Sequence, residues 1–206
     1  MAYRPDLDVL LREGAEFVTE SGGTYRVSRR PAGTLVAPTG EIVAGDPGTV
    51  DVDARPFAVR LDPGRYPVIV VVAVDDDGGS LVAGMQLVVG ARPVVRWEPA
   101  VLRDDELGED DVVGYGVDCG AAAFMDVAAL PAWDALDPDR EKSMVLHRHT
   151  VWAIAGAEEV DKDTGANLVL CDTGGDGLYG VWGGRAEDDS VACLITEFQV
   201  IGRDSN

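Results

Sequence analysis

Two aliphatic runs dominate this chain, residues 66–74 (Tyr-Pro-Val-Ile-Val-Val-Val-Ala-Val) and 81–89 (Leu-Val-Ala-Gly-Met-Gln-Leu-Val-Val), separated by Asp75-Asp76-Asp77-Gly78-Gly79-Ser80. Valine and isoleucine are stiff at χ1 and pack well on a pleated surface, so such runs favour strands over helices. The intervening turn is polar, and its glycines accept positive φ, as a hairpin requires. Both parities of each run are apolar. The pair is therefore expected to be a central hairpin covered on both faces.

The rest of the chain has the same texture. Twenty-five glycines and 11 prolines punctuate short runs of Val, Leu, Ile, Thr and Tyr, the pattern of strands joined by turns. Further strands are expected at 16–20, 24–28, 34–37, 57–61, 92–97, 144–155, 167–171, 178–182 and 191–201. Helices are scarce. One short helix is expected over 7–12 with Asp6 or Asp8 as N-cap, and another over 127–136 with Pro131 in its first turn. The expected fold is mainly β: an antiparallel sandwich or a bent two-sheet architecture with one or two short peripheral helices. A chain of 206 residues can bury a core without disulfides or metals. It carries no Pro- or Ser-rich linker, so residues 1–206 are expected to form a single domain.

Charge narrows the partners. Lys and Arg number 17 against 37 Asp and Glu, a net charge of -20. Such a surface repels phosphate, because nucleic-acid binding relies on Lys and Arg displacing counterions; nucleic acid and anionic membranes are disfavoured. Residues 104–111 hold six acidic residues among eight and read as an exposed loop. The N-terminal residues lack the basic-then-apolar order of a secretory signal, and the longest apolar stretch, 68–74, is far short of a bilayer span. Cys119, Cys171 and Cys193 are too few and too scattered for a disulfide framework; each is expected to be a small buried hydrophobe. The expected compartment is the reduced cytoplasm.

Chemistry-bearing residues form no complete constellation. His147 and His149 fall within the expected strand 144–155, where residues two apart share a face. They could offer two imidazoles to a transition metal, but no third ligand stands at a recognised spacing; a half-exposed strand with a polar face is the simpler reading. No Gly-x-Ser-x-Gly elbow occurs. Gly174-Gly175-Asp176-Gly177 lacks the Lys-Ser/Thr of a phosphate-binding loop. Cys119 could pair only with His147 or His149, and a structural thiol is the simpler reading.

A carboxylate set remains: Asp118, Asp126, Asn167, Asp172 and Asp176, each beside a glycine or a strand end. Calcium-like ions take six to eight oxygens, which such a set could begin to supply. If 118–126 were one straight strand, Asp118 and Asp126 would lie about 26 Å apart at ~3.3 Å per residue. They converge only if the chain bends, and Gly120 is the glycine placed to allow it. The alternative is turn chemistry, in which each Asp caps its own backbone.

Three segments resemble a known family. They are Leu61-Asp62-Pro63-Gly64-Arg65-Tyr66-Pro67-Val68; Gly116-Val117-Asp118-Cys119-Gly120 running through Phe124-Met125-Asp126; and Asn167 through Gly175-Asp176-Gly177-Leu178-Tyr179. With Gly45-Asp46-Pro47 upstream, they resemble the bacterial family DUF4241, a domain of unknown function, over roughly residues 30–200. The resemblance implies no activity. It directs attention to Asp118, Gly120, Asp126, Asp176, Gly177 and Tyr179, as a site or as a folding constraint.

Two functions compete. The first is a non-catalytic binding module, of inhibitor or immunity type, whose partner is a basic protein steered in by the negative charge. The second is a divalent-metal-binding domain or metal-dependent hydrolase. In that reading Asp118, Asp126 and Asp176 ligate the cation, with His147 or His149 as general base. The first is the expectation. It requires no cofactor, whereas the second requires a divalent cation. An acidic patch beside an exposed Trp97, Trp133, Trp152 or Trp182 would favour a protein partner.

Overall fold

The computed structural model describes residues 5–19, 22–105 and 114–201. Among them the chain is mainly β, built from two antiparallel sheets and three short helices. The two aliphatic runs form β4 (Gly64–Asp75) and β5 (Ser80–Val88), paired as expected. Around them the larger, curled sheet adds β1 (Glu16–Val18), β2 (Thr24–Ala37), β6 (Arg96–Pro99), β11 (Gly177–Arg185) and β12 (Val191–Glu197). Its order is β1-β2-β4-β5-β12-β11-β6. The first half of β11 also pairs with β7 (Gly114–Val117). The smaller sheet runs in the order β3-β8-β10-β9, from β3 (Ile42–Gly45), β8 (Ala121–Asp126), β9 (Ala155–Glu159) and β10 (Asn167–Asp172).

Alternation along the strands divides the apolar side chains into three layers. Val68, Val70 and Val72 of β4 point between the sheets, where they meet Leu35, Phe124, Val169 and Leu194. Val71 and Ala73 point outward, under Leu7 and Leu10 of α1 (Leu7–Leu10). The hairpin is thus covered on both faces. On the outer side of the smaller sheet, Met125, Leu168 and Leu170 pack beneath Leu130 and Trp133 of α2 (Leu130–Asp134) and Val145 of α3 (Ser143–Thr150). No helix among the described residues is long and apolar enough to cross a membrane.

Several expectations change. The expected strands 24–28 and 34–37 are one strand, β2, whose register shifts between Pro31 and Gly33; a bulge tolerates the missing proline N–H. Residues 57–61 make only isolated bridges, Phe57 to Leu102 and Glu41 to Arg60. Residues 118–126 are not one straight strand: β7 ends at Val117, Gly120 turns at φ 65°, and β8 begins at Ala121.

The largest correction is at 144–155, where α3 stands instead of a strand. Its start was legible. Asp137 accepts hydrogen bonds from the N–H groups of Asp139 and Arg140, and Glu141 reaches back to the Asp137 N–H. Asp-Pro followed by Glu is a helix-start pattern, and here it opens the π-helical turn Pro138–Lys142 that leads into α3. As for the acidic loop 104–111, residues 106–111 lie outside the described residues.

Candidate functional site

Two of the family-motif residues are clasps. Asp126, at the end of β8, is fully buried. Its carboxylate accepts hydrogen bonds from Thr39 N–H at 3.2 Å, Thr39 Oγ1 at 2.8 Å, Gly40 N–H at 2.9 Å and Ala128 N–H at 2.9 Å. One side chain therefore closes the β2–β3 turn and caps the 3-10 turn Val127–Ala129. Gly40 is required beneath it: φ is 74°, and a Cβ there would sit 1.9 Å from the Leu61 carbonyl oxygen. Asn167, at the start of β10, accepts from Val36 N–H and donates to the Thr34 carbonyl, both at 2.8 Å. Its amide acts as a short surrogate strand on β2 and joins the two sheets.

The third clasp was not among the residues singled out from the sequence beyond its place in Gly45-Asp46-Pro47. Asp46 is 2% exposed and accepts from Gly48 N–H at 2.6 Å, Asp118 N–H at 2.7 Å, Cys119 N–H at 3.1 Å and Cys119 Sγ at 2.7 Å. It gathers the loop after β3 onto the turn between β7 and β8. The Pro47 carbonyl accepts from Trp133 Nε1 at 2.8 Å, which fixes the same loop against α2. Cys119 itself is exposed, not buried as expected. Burial of its sulfur and the hydrogen bond to the Asp46 carboxylate push its thiol up to about 12. Cys171 and Cys193 are buried, and burial raises both.

Beside this turn lies the loop after β10. Thr173 N–H donates to the Gly120 carbonyl at 3.0 Å, so the second and third motif segments touch. Tyr179 Oη donates to the Gly175 carbonyl at 2.9 Å, and its ring meets Phe198 edge-on at 5.0 Å. Burial raises the Tyr179 phenol. A Cβ at Gly177 would lie 3.0 Å from Cζ of that ring, so the glycine makes room for the tyrosine. Asp118 and Asp176 are the motif carboxylates whose residues face outward. Among the described residues no three His, Cys, Asp or Glu side chains gather as metal ligands. Asp126 is committed to its clasp, at the opposite end of β8 from Asp118.

The histidines part company on α3, because residues two apart on a helix point about 200° from one another. His149 lies over Gly156 with Nε2 3.1 Å from Glu158 Oε2, and Arg148 shares that carboxylate at 2.9 Å. His147 meets the Trp152 ring edge-on at 5.3 Å. Trp152 is 76% exposed, beside Val151 at 63% and Met144 at 59%. Of the other tryptophans, Trp133 is fully buried and Trp97 donates to Asp8. Met144, His147 and Val151 are spaced to share one helix face, so an apolar surface is exposed there.

Fold and loops together define a two-sheet antiparallel β protein whose inward-facing motif residues close its connections. The model of the family described as "Protein of unknown function (DUF4241)" matches residues 35–196, and the chain belongs to that family. Comparison with curated proteins and with solved structures returned no match.

Proposed function

We propose that the chain is a non-catalytic binding module for a basic protein, docking through the exposed face of α3 around Trp152. The observation that carries this reading is that Trp152 stands open to solvent with Val151 and Met144. Exposed apolar groups clustered within a polar rim favour protein interfaces, and tryptophan is the residue most often found to anchor them. The segment that carries α3 is acidic in composition: residues 134–159 hold six Asp and Glu against three Lys and Arg. With the net charge of -20, the chain steers a cationic partner and repels an acidic one. Cys119, pushed up to about 12 by burial and Asp46, is disarmed as a nucleophile, since the thiolate is the reactive form.

The test is site-directed photo-crosslinking. A benzophenone amino acid replaces Trp152 in one protein and the exposed Val18, on β1 of the larger sheet, in another. A basic protein crosslinked only from position 152 is then purified and titrated against the unmodified chain. The expected result is salt-sensitive binding that Trp152→Ala weakens by roughly 30-fold or more, the size of an anchor residue's loss. Binding unaffected by Trp152→Ala, or an acidic partner captured at position 152, would overturn the reading.

A further inference from the structure

A concavity lies away from α3, in the angle where the two sheets part. It encloses about 320 Å³, at the lower end of the range of small-molecule sites. The wall from the smaller sheet is Val43–Gly45 of β3, and the wall from the larger is Gly114–Gly116 of β7 with Val181 of β11. Leu102 closes its side, with the buried Phe57 beneath. Tyr115 turns its hydroxyl inward to Thr196 Oγ1 at 2.9 Å, which leaves the ring to line the cleft. Burial raises that phenol, so it stays neutral. The body of the cleft is thus apolar and partly aromatic.

Its mouth is charged. Arg55 and Asp53 both line it, but Arg55 is held by Asp105, with contacts of 2.5 and 3.1 Å. That pair is self-compensating. Asp53 stands exposed, and among the described residues no hydrogen bond or ion pair engages its carboxylate. Among the described residues, the cleft therefore joins a mainly apolar interior walled by Tyr115 to one lining carboxylate without a partner, on a chain of net charge -20. We infer that it is a binding site for a small organic amine, with the apolar body against Tyr115, Leu102 and Ala54 and the ammonium group at Asp53. This site shares no residue with the α3 surface, and it stands or falls independently of the function proposed above.

The experiment titrates the full chain with 2-phenylethylamine, 2-phenylethanol and phenylacetate, three probes of similar body and different charge. Amide resonances of Ala44, Gly45 and Gly116 are followed by NMR. The amine is expected to shift them saturably, the alcohol to bind about tenfold more weakly, and the anion not to bind. That ranking follows from one charge pair near a protein surface. Asp53→Asn, a surface change that leaves the fold intact, is expected to bring the amine down to the alcohol's affinity. The inference is overturned if the three probes bind alike, if none binds, or if the amine's shifts survive Asp53→Asn unchanged.

Discussion

The paired strands β8 and β10 have two ends, and family-motif residues fall at both. At one end Asp126 and Asn167 are buried or nearly so, and both hold main-chain groups of the β2 region. At the other, Asp118 and Asp176 face outward, and the buried work is done by Asp46. The same residue type thus serves opposite ends differently. What separates them is access to water. A buried carboxylate must be matched by donors, and turns with free N–H groups provide them, whereas an outward one is left for turns, solvent or a partner.

The sharpest way to break this contrast is to remove the inward members. Asp126→Ala strands the N–H groups of Thr39, Gly40 and Ala128 in the interior. We expect it to cost about 3–5 kcal/mol, lowering the thermal midpoint by roughly 6–20 °C for a chain of this size. Asn167→Leu strands Val36 N–H and the Thr34 carbonyl, and about 2–3 kcal/mol is expected from urea unfolding. If either substitution left stability unchanged, the inward residues would not be clasps.

Cys119 sharpens the comparison without unfolding anything. It is the exposed cysteine, yet its thiol is pushed up to about 12. Iodoacetamide at pH 8 should modify it at least about a hundredfold more slowly than a free cysteine of ordinary pKa, and Asp46→Asn should speed that reaction. A raised thiol contributes stability that is present below its unfolded pKa of about 8.5. That contribution is lost as pH rises toward about 12, so Cys119→Ser should flatten the alkaline arm of the stability profile.

Two smaller effects complete the series. Burial opposes ionisation of Glu98, but the guanidinium groups of Arg185 and Arg96 outweigh it and hold the carboxyl below its ordinary value. Its contribution is present above the unfolded pKa of about 4.3 and is lost as pH falls through the lower folded one. Urea midpoints measured from pH 7 to pH 3 should therefore decline less steeply in Glu98→Gln. The smallest effect belongs to the outward end. Asp176→Asn should alter stability by no more than about 0.5 kcal/mol, and a loss as large as that of Asp126→Ala would erase the distinction between the ends.

Much of this was legible from residue order. The aliphatic runs 66–74 and 81–89 became β4 and β5 within two residues at each end, because an apolar run on both parities has few other solutions. Asp6 capped α1, and Pro131 entered the first turn of α2, as their chemistry requires. The clasps were less legible. Asp126 was marked by the family resemblance, but its partners Thr39 and Gly40 stand 87 and 86 positions away, and no local pattern reports such a distance. Asp46 meets Asp118 across 72 positions for the same reason. The error at α3 was different. A strand was expected over 144–155, with His147 and His149 on one face, while the start signal at Asp137-Pro138 lay ten positions upstream of His147.

The unbroken strand β2 has a practical consequence for anyone producing this protein. The segment shared with the family begins at residue 35, inside a strand that starts at Thr24 and pairs along β4 as far as Asp75. A chain cut at that limit loses α1 and most of β2 together. It bares the hydrogen-bonding edge of β4 and uncovers Val71 and Ala73 on its outer face. An apolar strand with an open edge is a template for another copy of itself, so protein trimmed to 35–196 should collect as aggregates where the chain from residue 5 stays dispersed. The limits of shared sequence and the limits of a foldable piece are here two different boundaries.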